Sequence, residues 1–117
     1  MKKEVTLPRP IQHYLQAVNN GDFKAFPATF ADDAVVKDLE REIRGVDAIK
    51  EWAQHDIFGV RAHFDLVKVD ESRGRTVVVV KIDGTFDRTG LPDPLLMKHA
   101  FKVADGKITE LKVSFAS

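Results

Sequence analysis

The stretch FADDAVVKD, residues 30–38, decides the fold that the sequence predicts. It alternates as a β-strand does, with Ala34 and Val36 on one face and Val35 on the other. The same two-residue period places Asp38 at the end of the apolar face. Burying a carboxylate costs free energy unless the group is paired or hydrogen-bonded. The strand therefore predicts a core that contains an acidic group.

The composition predicts one domain spanning residues 1–117. Hydrophobic residues make up 44% of the chain and eight are Phe, which is enough for one core. The 18 basic and 18 acidic residues are scattered, which argues against nucleic acid or a membrane as partner. The absence of cysteine excludes disulfides and thiolate chemistry and fits a reducing compartment. No apolar run approaches membrane-spanning length, so we expect a soluble, cytoplasmic protein.

Three helical patterns surround the strand. The first begins near Pro8, ends at Asn19-Asn20-Gly21, and has an apolar stripe made of Ile11, Tyr14, Leu15 and Val18. A short second helix is expected after Asp22, with Pro27 bending or ending it and an apolar face made of Phe23, Phe26 and Phe30. The third is amphipathic through Val46, Ile49, Trp52 and Ala53.

Strand patterns dominate the rest of the chain. A short strand is predicted at 40–43, and from residue 61 the period changes to two, which predicts strands at 61–70, 75–86, 95–104 and 107–116. Helices followed by a run of strands indicate an α+β fold. We expect a cone in which three N-terminal helices pack on a strongly curved, mixed, mostly antiparallel sheet. Such a sheet leaves a cleft suited to a small molecule.

Three polar residues from separate elements are predicted to face this interior. His99 shares one face of the strand 95–104 with apolar residues, whereas Lys98 points the other way; those apolar residues are Leu95, Met97, Phe101 and Val103. Tyr14 lies on the apolar stripe of the first helix, and Asp38 ends the apolar face of the first strand. Several buried polar groups directed at one cavity indicate a functional site.

Each residue also has a purely structural interpretation. Tyr14 can be an amphipathic core residue with its hydroxyl at the edge. Asp38 can cap the following turn, or pair at the surface with Arg41 or Arg44. His99 can be a core histidine whose hydrogen bonds are satisfied. These alternatives stay open at the level of sequence.

Three segments resemble a known enzyme family. IQHYLQAVNNGD (11–22), FADDAVVKD (30–38) and IRGVDAIKEW (43–52) are similar, in order and spacing, to the N-terminal half of bacterial ketosteroid isomerases. The same pattern is found across the nuclear transport factor 2-like superfamily, which includes the SnoaL-like polyketide cyclases. Residues 61–117 share only the strand pattern. The resemblance implies the cone fold, but this superfamily includes isomerases, cyclases, dehydratases and non-catalytic binding modules.

The resemblance also implies roles for individual residues. Asp38 matches the proton-shuttling carboxylate of the isomerases, and Tyr14 matches the phenol that binds the oxyanion. His99 falls where those enzymes have a protonated aspartate, and Ala53 where they have a supporting tyrosine. A neutral imidazole can still donate one hydrogen bond. The expected pocket wall consists of Val18, Phe26, Phe30, Val36, Trp52, Met97 and Phe101.

Three functions follow as hypotheses. The first is cofactor-free, metal-free proton transfer next to the ketone of a small hydrophobic molecule, steroid-like or polyketide-like, with Asp38 as base and Tyr14 and His99 as donors. The second is a dehydratase or cyclase in which Asp38 orients His99 as acid and base. The third is a non-catalytic binding or dimerisation module.

Val77 and Val79 alternate onto the outer face of their strand, so we expect a homodimer.

Overall fold

The structure is a computed structural model that describes residues 7–116. Two α-helices are present in this range, α1 (Arg9–Asn20) and α2 (Val46–Ala53). They are combined with six strands: β1 (Phe30–Asp38), β2 (Arg41–Arg44), β3 (His63–Ser72), β4 (Arg75–Asp83), β5 (Leu96–Ala104) and β6 (Lys107–Phe115).

The six strands form one open, mixed sheet in the order β2-β1-β6-β5-β4-β3. Only β1 and β6 run parallel, and every other neighbouring pair is antiparallel. The register shifts between Leu66 and Lys68 on β3 and between Lys102 and Val103 on β5, and such bulges bend and twist a strand. The predicted α+β class with a mixed, mostly antiparallel sheet is confirmed.

The expectation of three helices is wrong, because residues 22–29 form turns instead of a helix. The Asp22 carboxylate does accept a hydrogen bond from the Ala25 amide, at 3.2 Å, as a capping residue would. Pro27 then removes a backbone donor, and only a single 3₁₀ turn, Pro27–Thr29, follows. Phe30 is already extended and begins β1.

Helix α1 has a defined start and end, and hydrogen bonds near its C-terminal end attach it to the sheet. Pro10 lies in its first turn, and Gly21 ends it in the left-handed conformation (φ 65°). Near this end, the Asn19 side chain makes two hydrogen bonds with the backbone of Phe64 on β3. Its Nδ2 donates to the Phe64 carbonyl at 2.9 Å, and its Oδ1 accepts from the Phe64 amide at 2.8 Å. This pair fixes the helix on an edge strand of the sheet.

Helix α2 continues into a π-helical turn, Gln54–Phe58, that becomes important for the site. The turn closes when the Gly59 amide donates to the Gln54 carbonyl at 2.7 Å. A Cβ at residue 59 would lie 2.6 Å from that same oxygen, so only glycine fits there. Residues 59–62 then connect the turn to β3.

Both helices cover the same face of the sheet. Helix α1 packs on β3 and β6, whereas α2 packs on β1 and β2. The space between helices and sheet is filled by one apolar cluster that includes Ile11, Phe26, Ile49, Phe101 and Leu111. Within residues 7–116, no helix combines the length and the apolar character that crossing a membrane requires.

Candidate active site

Asp38 and His99 lie on one cross-strand row of the sheet. Asp38 pairs with Val113 across the parallel β1–β6 ladder, and His99 pairs with the same Val113 across β5–β6. Their Cα atoms are therefore two strand spacings apart, about 10 Å. Two polar side chains thus point to the same side of the sheet with a valine between them.

A pocket of about 390 Å³ opens over this row. Its volume falls within the range of roughly 300–1,000 Å³ that is typical of small-ligand sites. The polar lining residues are Asp38, His55, Asp56 and His99. The remaining wall is apolar and comprises Leu39, Trp52, Ile57, Val60, Ala62, Phe64, Ile82, Phe86, Leu91, Leu95, Met97, Val113 and Phe115.

The carboxylate of Asp38 is held from one side. Its Oδ2 accepts a hydrogen bond from Trp52 Nε1 at 3.0 Å and another from Arg41 Nη2 at 2.5 Å. Oδ1 makes no hydrogen bond within residues 7–116, and it is not sealed off inside the protein. The side chain is 15% exposed, so Oδ1 remains open to the pocket. The surface pairing with Arg41 that the sequence left open is present, yet Asp38 still lines the pocket.

His99 is buried (3% exposed) but reaches the pocket wall. Burial lowers the pKa of its imidazole to about 4, although the negative charge of Asp38 and the Met97 backbone act in the opposite direction. The ring is therefore neutral at pH 7. Nδ1 is enclosed and has no hydrogen-bond partner among the described residues. Nε2 is not enclosed in this way, and we infer that it is the nitrogen nearer the pocket.

Tyr14 lies beside His99 but behind the pocket wall. Its side chain is completely buried, and its ring is 6.2 Å from that of His99 and 6.3 Å from that of Phe64, centroid to centroid. His99 and Phe64 line the pocket, whereas Tyr14 does not. Its hydroxyl has no hydrogen-bond partner among residues 7–116. Burial, followed by the charge of Asp38, raises the pKa of the phenol far above its ordinary value.

The seven residues expected to form the pocket wall divide into two groups. Trp52 and Met97 line the pocket. The others do not, because they fill the core or lie beside other surfaces; these are Val18, Phe26, Phe30, Val36 and Phe101. The rings of Phe26, Phe30 and Phe101 pack around Tyr14 at centroid distances of 5.2, 6.0 and 5.2 Å.

The sequence did not reveal the residues that cover the pocket. His55, Asp56 and Ile57 come from the π-helical turn, and Phe86 and Leu91 come from the segment between β4 and β5. Neither segment has a periodic pattern that would assign its side chains to the interior. Among residues 7–116, no group of three or more His, Asp or Glu side chains is arranged to hold a metal ion.

Comparison with known proteins identifies the family. The model of the SnoaL-like domain matches residues 11–111, which is most of the chain. The chain belongs to the SnoaL-like domain family. This SnoaL-like domain carries the nuclear transport factor 2-like fold that the three N-terminal segments predicted. No curated protein matched the sequence.

Solved structures share the fold of this SnoaL-like domain. A protein from Sinorhizobium meliloti, proposed to be a polyketide cyclase, is 27% identical, with a TM-score of 0.81 over 92% of this chain and 95% of its own. The Δ5-3-ketosteroid isomerase of a Mycobacterium species is 20% identical, with a TM-score of 0.71 over 92% and 90%. A Catenulispora acidiphila protein in complex with trimethylamine is 19% identical, with a TM-score of 0.74 over 94% and 87%.

Proposed function

We propose that this SnoaL-like domain is a cofactor-free enzyme that transfers a proton at a carbon next to the ketone of a small hydrophobic substrate. One observation carries the proposal: Asp38 and His99 lie on either side of Val113 and both border an apolar pocket. Enolisation of a ketone needs a base for the carbon and a hydrogen-bond donor for the oxygen. A carboxylate and a neutral imidazole supply this pair.

Asp38 is the base in this mechanism. Its Oδ1 takes a proton from the substrate carbon, the C–H electrons form the new double bond of the enolate, and negative charge moves to the ketone oxygen. Asp38 then returns the proton to another carbon, which shifts the double bond. Once a substrate fills the pocket, the apolar wall keeps water from the carboxylate and strengthens these interactions.

His99 stabilises the oxygen without giving up its proton. Because its pKa is about 4, the imidazole stays neutral at pH 7 and carries one N–H. We assign that proton to Nε2, the nitrogen at the pocket, and leave the enclosed Nδ1 as an unprotonated acceptor. Tyr14 contributes indirectly by packing against the His99 ring.

The geometry favours this mechanism over the Asp–His dehydratase. That reaction needs Asp38 to orient His99 and needs His99 to act as an acid. Instead, the hydrogen bonds of Asp38 go to Trp52 and Arg41, and no hydrogen bond joins it to His99. A pKa of about 4 also leaves little imidazolium at neutral pH to protonate a leaving hydroxyl.

Polyketide cyclisation is the second candidate. The structural neighbour from Sinorhizobium meliloti is proposed to be a polyketide cyclase, and it is 27% identical to this chain. An intramolecular aldol ring closure also begins with removal of a proton next to a ketone. Asp38 and His99 would perform the same first step, and the substrate would then decide whether the enolate is reprotonated or attacks a second carbonyl.

A panel of β,γ-unsaturated ketones and polyketide-like diketones tests the proposal by absorbance-detected turnover. Asp38→Asn should lower kcat by about 10²–10⁴, the usual contribution of a general base. Asp33→Asn, an exposed change on the same strand, is the matched control and should be neutral. His99→Gln should have a smaller effect than Asp38→Asn. Absence of wild-type turnover on every ketone would contradict the proposal and favour a binding module.

We also propose a homodimer that forms through the outer face of the sheet. Val77 and Val79 lie opposite the buried Val78 and Val80 and are only half-buried in the single chain. Apolar surface on this face is what a second copy would cover. Sedimentation of the wild type and of Val79→Lys tests this proposal. A monomeric wild type would contradict it.

A further inference from the structure

Both hydrogen bonds to Asp38 reach the same oxygen. Trp52 Nε1, on α2, and Arg41 Nη2, at the start of β2, donate to Oδ2. Arg41 is placed there by the two-residue turn after β1, because Asp38 and Arg41 are paired across the β1–β2 ladder. Oδ1 is left without a hydrogen-bond partner among residues 7–116.

Arg41 is itself shared between two carboxylates. Its Nη2 also donates to Asp56 Oδ2, on the π-helical turn. The hydrogen bond with Asp56, followed by that with Asp38, raises the pKa of the Arg41 guanidinium, which is 57% exposed. Asp38 and Asp56 line the pocket, whereas Arg41 lies behind them and does not. The cation therefore binds the carboxylates without occupying the space of a ligand.

We propose that Trp52 and Arg41 are positioning residues that bind Asp38 through Oδ2 and thereby make Oδ1 the oxygen that moves the proton. Asp56 takes part of the Arg41 charge and limits how strongly Arg41 stabilises the ionised Asp38. This inference rests on the proposed function, because it assigns the proton transfer to one atom of its base. A carboxylate held by two donors keeps one orientation toward the substrate carbon, and this fixed orientation accelerates the proton transfer.

Several other charged or titratable groups line the same pocket as Asp38 or feel its charge. His55 and Asp56 come from the π-helical turn, His99 from β5 and Tyr14 from α1. Of these and the residues that bind Asp38 directly, only Arg41 is a permanent cation. Removing Arg41 and removing Asp56 should therefore affect Asp38 in opposite directions.

Trp52 provides a probe that needs no substrate. It is the only tryptophan in the chain, so its indole N–H gives a single NMR signal that reports on its hydrogen bond to Asp38. In Asp38→Asn at pH 7 this signal should move upfield, because a neutral amide is a weaker acceptor than a carboxylate. In Arg41→Met it should move downfield, because Trp52 is then left as the donor to Oδ2. In Asp56→Asn it should move upfield, because Arg41 is no longer shared and binds Oδ2 more strongly.

Turnover provides the second readout. Arg41→Met should lower kcat about tenfold with KM changed less than about twofold, and Arg41→Lys should restore part of the loss. Arg44→Met is the matched control, because Arg44 lies on the same strand and pairs only with Glu42 among the described residues. It should change neither the indole signal nor kcat. Asp56→Asn keeps the side-chain shape and tests the inference even if Arg41→Met does not fold.

The two readouts separate this inference from the proposed function. If the indole signal moves in opposite directions in Arg41→Met and Asp56→Asn but the protein turns over no ketone, the positioning of Asp38 is supported and the proposed enzymatic function is refuted. If turnover depends on Asp38 but the indole signal is unmoved in both variants, or moves in the same direction, the positioning is refuted and the proposed function stands.

Discussion

The buried hydroxyl of Tyr14 predicts that its removal raises the stability of the protein and leaves kcat nearly unchanged. This hydroxyl is completely buried and has no hydrogen-bond partner among residues 7–116. Burying an unsatisfied hydroxyl costs about 1–3 kcal/mol. Tyr14→Phe removes the hydroxyl and keeps the ring, which is packed by Phe26, Phe30 and Phe101.

We expect Tyr14→Phe to stabilise the protein by about 1 kcal/mol, the lower end of that cost, since a small void replaces the oxygen. For a chain of 117 residues this corresponds to a rise in Tm of about 4 °C. The assays are urea unfolding, with an unchanged slope, and thermal melting. Tyr14→Leu is the control: it also removes the hydroxyl but deletes the ring, and it should destabilise by about 3 kcal/mol.

The same variant tests whether Tyr14 touches the substrate. Because Tyr14 does not line the pocket, whereas the neighbouring His99 and Phe64 do, kcat should change less than about threefold. Two results would refute this reasoning. Loss of stability would mean that the hydroxyl has a partner, and a fall in kcat of about 10² or more would mean that it binds the oxyanion directly, as the resemblance to the isomerases implied.

Three further predictions concern other parts of the site. The pKa of His99 is about 4 in the folded protein and 6.5 in the unfolded chain, so between these pH values the unfolded chain binds more protons. The free energy of unfolding should therefore be highest above pH 6.5 and fall by about 3 kcal/mol as the pH drops to 4. Urea unfolding at pH 7 and pH 4.5 should show a smaller difference in His99→Gln, and an equal difference would contradict the burial of a neutral imidazole. Asn19→Ala should destabilise the protein by about 1–3 kcal/mol, because the Phe64 backbone loses two hydrogen bonds. Asn20→Ala, at the exposed neighbouring residue, should be near neutral, and equal melting temperatures of the two variants would contradict this prediction. Leu39 has a positive φ (56°) and is 53% exposed, yet it lines the pocket, so Leu39→Gly should leave the melting temperature within a few degrees and weaken binding of an apolar ketone in a titration; unchanged binding would remove Leu39 from the site.

The fold could be predicted because its signals are local. The alternation from Ala34 to Asp38 predicted the second half of β1, which begins earlier than expected, at Phe30. Period two after residue 61 predicted the antiparallel strands to within a few residues. The second helix was wrong because Phe23 and Phe26 have helical spacing, while the proline and the short segment length prevent a helix. Periodicity counts apolar positions and does not include the missing backbone donor at Pro27.

The site was only partly predictable for a different reason. The period of two placed Asp38 and His99 on inward faces, but their shared neighbour Val113 depends on strand order, which sequence does not contain. The apolar stripe of α1 predicted that Tyr14 is buried, but not that His99 lines the pocket while Tyr14 does not. The π-helical turn that supplies Asp56 has no sequence signature of its own. Its closing hydrogen bond ends on Gly59, where a Cβ would lie 2.6 Å from the Gln54 carbonyl oxygen.

In the proposed mechanism, Asp38 and His99 act on one bound ketone by moving a proton at carbon. Deuterium uptake from D₂O into the carbon next to the ketone, followed by NMR, measures this step whether the product is an isomer or a ring. We predict rapid uptake with the wild type, slower uptake with His99→Gln and uptake near the buffer rate with Asp38→Asn. Uptake at the buffer rate with the wild type, or unchanged uptake in Asp38→Asn, would contradict the claim.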